Sequence, residues 1–215
     1  VSFAELFHLT QMTMPHLDLT PKLAAELVST FLGILSVALL ARGDGRGWPL
    51  GALWALLCGV VYWLENIQGQ AALQVYFLAA QLIGWRRWAK GTEPDLRRGA
   101  QLMTGKARAV TIAAWLVATI CLAALLKKGG SQFVELDAFT TVGSLLGQAL
   151  IVAGFAESWL AYLAVDVLLI GLSIQAELWA YVAMYLVYCV LAWQGWRGWT
   201  RDAREVRRND APNPK

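Results

Sequence analysis

Charge is scarce in this 215-residue chain: Asp, Glu, Lys and Arg make up 15% of it, against 58% hydrophobic residues. So little charge cannot coat a soluble globule. With a mean hydropathy of +0.50, the balance marks a polytopic membrane protein. The net charge of +3 is small and needs no nucleic acid to explain it. Histidine is nearly missing. His8 and His16 both precede the first apolar run, so no intramembrane pair exists for haem and no His-Glu-x-x-His for zinc. No lysine lies within an apolar run, which excludes a retinal Schiff base. No Gly-x-x-x-x-Gly-Lys-Ser/Thr loop is present, so the chain does not hydrolyse ATP by itself. The three cysteines, Cys58, Cys121 and Cys189, sit inside apolar runs as small apolar residues, with neither metal spacing nor a disulfide pattern. No catalytic residue, metal or cofactor is expected. Residues 1–22 lack a basic n-region and a clear cleavage site, so no signal peptide is expected there. They are read as an extracytoplasmic segment lying at the membrane surface.

What is abundant is apolar sequence in runs of the right length. About 20 mostly apolar residues cross about 30 Å of hydrocarbon. Seven segments qualify: Leu23–Ala41, Pro49–Asn66, Gln70–Trp88, Ala109–Leu126, Leu136–Gly154, Trp159–Ala176 and Leu178–Trp196. The runs are continuous rather than alternating, which favours helices over strands. The reading is an all-α membrane protein of seven transmembrane helices. Lys and Arg set the sidedness. Of the 18 in the chain, 15 fall on one side and Lys22, Lys127 and Lys128 on the other. A miscounted span would scramble that split. The N-terminus is therefore expected outside and the C-terminus in the cytoplasm.

The chain also repeats itself. Trp85/Trp88 and Trp193/Trp196 each close a span with Trp-x-x-Trp, and Trp48 and Trp159 each open a middle span. Two three-span units separated by a single span are parallel repeats about an axis along the membrane normal. The expected organisation is a first three-helix bundle at 23–88, a cytoplasmic loop at 89–108 and a linker helix at 109–126. An extracytoplasmic loop at 127–135, a second bundle at 136–196 and a solvated cytoplasmic tail at 197–215 complete it.

Polar side chains inside these spans fall in stripes at helical spacing. One holds Gln70, Gln74, Gln81, Trp85 and Trp88. A second holds Asp137, Thr141, Ser144 and Gln148, and a third Trp159, Tyr162, Asp166 and Ser173. The last span adds Tyr181, Tyr185, Tyr188, Trp193 and Trp196. Such faces line a shared wet cavity or hydrogen-bond helices to one another. Asp166 stands out, because an Asp at mid-membrane costs about 2.5–3.5 kcal/mol on insertion scales and no Lys or Arg lies at its depth. It is a structural residue, protonated or hydrogen-bonded, or the counter-ion of a cationic substrate, with aromatic faces adding cation–π attraction. Trp and Tyr also gather at membrane interfaces whatever the function. Trp199 is assigned to that belt, and Trp48, Trp54, Trp88 and Trp196 are open to the same reading. A membrane-embedded partner or sensor subunit, whose aromatic faces bind a partner helix, is the reading without transport.

Four stretches, LQVYFLAAQLIGWRRW at 73–88, ELDAFTTVGSLLGQAL at 135–150, ESWLAYLAVDVLLIGL at 157–172 and AMYLVYCVLAWQGW at 183–196, resemble the PnuC family of bacterial vitamin transporters. The resemblance covers roughly residues 26–199. It implies three plus one plus three helices, a SWEET-like fold, a homotrimer and a place in the bacterial inner membrane. It implies facilitated diffusion of nicotinamide riboside, drawn inward by a cytoplasmic kinase that phosphorylates the product. Thiamine is the alternative substrate and riboflavin a further one. The positions that match the family's pocket are Gln74, Gln81, Trp85, Trp88, Asp166, Tyr185, Trp193 and Trp196. Ser144, Gln148, Tyr162 and Tyr188 join them from the stripes. Asp166 and Leu191 stand where nicotinamide riboside members carry Asn.

Overall fold

The computed structural model describes residues 21–64, 66, 68–89, 100–127, 134–175 and 177–209. The expectation for the N-terminal segment, with His8 and His16, falls largely outside them, as do residues 90–99 and 128–133 of the loops and the end of the tail. The described residues form seven helices and no β-sheet: α1 Pro21–Ala41, α2 Gly47–Leu64, α3 Gln68–Ala89, α4 Gly105–Leu126, α5 Val134–Ala153, α6 Ser158–Gln175 and α7 Trp179–Asn209. By length and composition α2, α4, α5 and α6 are apolar enough to cross a membrane. The glutamines and arginines of α3 and α7 lower their hydropathy.

Most ends lie within two residues of the expected ones, with two exceptions. Helix α4 begins four residues early, at Gly105, because Thr104 caps it: its hydroxyl oxygen accepts from the Ala107 N–H at 3.2 Å. Helix α7 runs on to Asn209 and so extends into the expected tail from Arg197, where Arg201 and residues 204–209 stay exposed. Its residues are good helix formers, and Trp199, Thr200 and Ala203 bury one face. The full helix is about 46 Å long, more than the hydrocarbon thickness. Its basic end therefore projects beyond the bilayer.

Two three-helix bundles, α1–α3 and α5–α7, are built on the same turns. Helix α1 ends where Gly43 takes a φ of 75°, and α5 where Gly154 takes 89°. Asp44 N–H then donates to the Leu39 carbonyl and Phe155 N–H to that of Leu150, at 2.8 and 2.9 Å. Each turn is a Schellman cap that satisfies carbonyls left open by the helix end. Asn66 and Glu177, the non-glycine residues with positive φ among the described residues, end α2 and α6. Every such pair is 111 residues apart. So are Trp48 and Trp159, Gly84 and Gly195, and Trp88 and Trp199.

That spacing corrects the repeat register. The Trp-x-x-Trp at Trp85/Trp88 corresponds to Trp196/Trp199, not to Trp193/Trp196. It also corrects the belt assignments, for Trp199 and Trp48 are fully buried. Trp199 donates its indole N–H to the Leu40 carbonyl at 3.2 Å and meets Trp159 edge-on. These rings, with Leu40, Ala41, Ala100, Ile151, Ala156 and Ala203, form the main core. It lies at the basic end of the bundles, where four helix ends meet.

The linker α4 packs on α5. Trp115 stacks on Phe139 and donates its N–H to the Phe139 carbonyl at 3.1 Å. Glu157 holds the other end of the linker, accepting from Arg108 Nε at 2.8 Å and the Met103 N–H at 3.0 Å. The bundles meet along two seams, α1 with α7 and α3 with α5.

Candidate functional site

Asp166 is the ninth of eighteen residues in α6, midway through its span. It is 8% exposed. Among the described residues it has neither a hydrogen-bond donor nor a basic partner. It lies within electrostatic reach of Tyr162, Tyr185 and Tyr188. Tyr162 is in turn within reach of Tyr76, and Tyr185 of Tyr62 and Tyr181. Three tyrosines thus neighbour the acid, and the other three neighbour those. Three arrive on α7 at the 181, 185, 188 spacing, which puts them on one helix face. The others come from α2, α3 and α6, so both bundles contribute.

The glutamines are buried as well. Gln74, Gln81 and Gln148 are 6%, 5% and 5% exposed. On α3, Gln74 and Gln81 are two turns apart and rest on two glycines of α2. The Gln81 amide lies over Gly51, and the Gln74 Cβ would meet a side chain at Gly59 at 3.2 Å. Both Oε1 atoms are buried without a hydrogen-bond partner among the described residues, and so is Gln148 Nε2. Gln148 Oε1 accepts the Tyr162 hydroxyl at 2.8 Å. That bond ties α5 to α6, so for this pair helix-to-helix bonding is what the structure displays.

Other expected site residues fare differently. Ser144 is half-buried on α5, and Tyr185 and Tyr188 are half-buried on α7. Trp88 packs against Trp199, and Trp196 borders the same core. Trp85 and Trp193 are 45% and 50% exposed. Within each Trp-x-x-Trp pair, one ring is thus exposed and the other borders the core. The bare backbone of Gly84 and Gly195 seats the Trp48 and Trp159 rings, and Trp88 and Trp196 pack against the core those rings form. Trp159, part of a polar stripe in sequence, belongs to that core. Leu191 lines a shallow apolar groove on α7 with Leu186, Val187 and Val190.

Sequence reasoning missed Tyr62 and Tyr76. Tyr76 lies two residues from Gln74, off the glutamine stripe. Tyr62 stands near the end of α2, where a tyrosine reads as an interfacial residue. The signal that could have found them was the number of tyrosines, six in all and every one inside an apolar run.

Residues 23–201 match the family described as Nicotinamide mononucleotide transporter. The chain is 31% identical over 190 residues to the riboflavin/roseoflavin transporter RibM of Streptomyces davaonensis, covering 85% of this chain and 88% of that one. It is 27% identical over 177 residues to the nicotinamide riboside transporter PnuC of Haemophilus influenzae, covering 79% and 74%. Its fold matches a crystal structure of the vitamin B3 transporter PnuC with a TM-score of 0.67 at 21% identity, over 95% of this chain and 99% of that one.

Proposed function

This chain belongs to the nicotinamide mononucleotide transporter family, and from that premise we propose that it carries nicotinamide riboside across the bacterial inner membrane by facilitated diffusion. The family and the relatives named above are transporters, not enzymes. The observation that carries the substrate reading is Asp166, a mid-membrane acid buried among tyrosines with no basic side chain paired to it among the described residues. A buried charge without a partner is costly, and a cationic ring would supply the missing charge. Tyrosine faces add cation–π attraction. The unpartnered amide atoms of Gln74, Gln81 and Gln148 suit the hydroxyls and amide of a riboside.

Direction comes from a cytoplasmic kinase that traps the product. The assembly in this reading is a homotrimer, with the N-terminus outside and the C-terminus in the cytoplasm. The uneven split of Lys and Arg supports that orientation. Thiamine, also flat and cationic, fits the same chemistry. Riboflavin is the second reading, favoured by the 31% identity to RibM. It is neutral, so the Asp166 carboxylate would only accept hydrogen bonds from it.

Counterflow in liposomes tests these readings without ATP or an ion gradient. Labelled nicotinamide riboside should exchange, and excess unlabelled nicotinamide riboside should suppress it more than thiamine or riboflavin does. Asp166→Leu, which removes both the charge and the hydrogen-bonding oxygens, should weaken a cationic substrate by about tenfold or more. Exchange of riboflavin alone, untouched by Asp166→Leu, would overturn the cationic reading.

A further inference from the structure

Helix α5 presents one short face to both halves of the molecule. Leu145 and Gln148 are three residues apart, so they lie on the same side of the helix. Tyr162 reaches this face from within the second bundle and donates its hydroxyl to Gln148 Oε1 at 2.8 Å. Its ring covers Gly147, where an added Cβ would stand 3.2 Å from the ring carbons. Tyr76 reaches the same face from the first bundle and donates its hydroxyl to the Leu145 carbonyl oxygen, also at 2.8 Å. The two phenols lie within electrostatic reach of each other.

The Leu145 carbonyl belongs to the interior of α5 and takes part in its backbone ladder. A carbonyl oxygen has two lone pairs, so the phenol adds a bond without breaking one. In hydrocarbon, where no water competes, an unpaired hydroxyl would be costly, which favours keeping this bond made. The bond crosses the α3–α5 seam. At the other seam, Trp199 donates to the Leu40 carbonyl near the basic end. Tyr76 is the member of this pair that stands at the depth of the tyrosine cluster.

We propose that Tyr76 is a positioning residue of the substrate site, a clasp across the bundle seam that fixes α5 and with it the Gln148–Tyr162 pair beside Asp166. The inference rests on reading that region as the substrate site. The ring of Tyr76 fills space that phenylalanine would also fill, and the hydroxyl alone makes the clasp.

Tyr76→Phe removes that single oxygen. In liposome counterflow with labelled nicotinamide riboside, thiamine or riboflavin, whichever the wild type exchanges best, the half-saturating concentration should rise about fivefold with the maximal rate held. Combined with Gln148→Leu, the effect should be less than additive, because both changes act on the same pair. An unchanged half-saturation, or strict additivity, overturns the proposal. Hydrogen exchange of the full-length protein gives a readout independent of substrate. Amides of α5 around Leu145–Ala149 should exchange several-fold faster in Tyr76→Phe, and unchanged rates overturn the clasp. Should the wild type exchange none of the three vitamins, the site reading fails, while the hydrogen-exchange result still decides the clasp.

Discussion

Trp159 lies against Gly195 so closely that a methyl group at Gly195 would overlap the six-membered ring of its indole. Trp48 lies against Gly84 in the same way, 111 residues earlier. Both indoles are essentially inaccessible to solvent. Each bundle is thus closed at its basic end by the same device, a tryptophan at the start of its middle helix filling a bare patch on its third helix. The duplication stops at Asp166. Asp166 corresponds to Ala55, and Tyr162 to Gly51, so the second bundle carries the acid and its phenol where the first carries small residues. The first bundle instead fills the space over Gly51 with Gln81.

The paired tryptophan–glycine contacts predict matched sensitivity in the two halves. Gly84→Ala and Gly195→Ala should each destabilise the protein by about 1–3 kcal/mol through overpacking. Gly171→Ala, where the added methyl group meets nothing within 4 Å, should be neutral or slightly stabilising. Melting of the purified protein in detergent measures all three. Equal melting temperatures for Gly195→Ala and Gly171→Ala would refute the packing account.

Glu157 fixes the linker helix to the second bundle through Arg108 and the Met103 N–H. Beside them, Gln101 forms a short parallel bridge with Phe155. Glu157→Ala should cost about 1.5 kcal/mol, the low end for hydrogen bonds to a charged group, because the Arg108 side chain is half-exposed. The sharper consequence is local. The Met103 amide should exchange its hydrogen at least about tenfold faster once its acceptor is gone. Protection that persists at Met103 would show that the bridge alone orders this loop.

Asp44 and Arg46 pair within the α1–α2 turn, with Arg46 Nη2 2.6 Å from Asp44 Oδ2. The hydrogen bond from the guanidinium holds the Asp44 carboxyl below the usual carboxylate range, and the Arg46 backbone N–H adds to it. A carboxyl lowered in the folded state contributes stability at and above its ordinary range, and loses it as pH falls through the lowered value. The pair is exposed, so the contribution is small. Asp44→Asn should melt slightly below the wild type at pH 7, and the gap should close in acid. A gap that widens in acid contradicts the sign of this coupling.

The helices and their number were legible in the sequence, because a bilayer imposes length and hydropathy on every span. Asp166 was legible for the same reason: an acid at mid-span has no inexpensive place in lipid. Helical stripes also found the buried glutamines Gln74, Gln81 and Gln148. The register of the repeat was not legible. Trp193 and Trp199 both stand three residues from Trp196, and one-dimensional spacing cannot say which ring is buried. Tertiary structure decided it, since only Gly195 offers the Trp159 ring a surface without a side chain. It also turned an arginine-rich tail into the last turns of α7, because Trp199 and Ala203 pack on α1 and the core whatever the charge of their neighbours. Tyr76 came to bond α5 across the bundle seam in the same way. Which residues of different helices share a depth and a seam is a property of how the bundles meet, and no periodicity along a single helix records it.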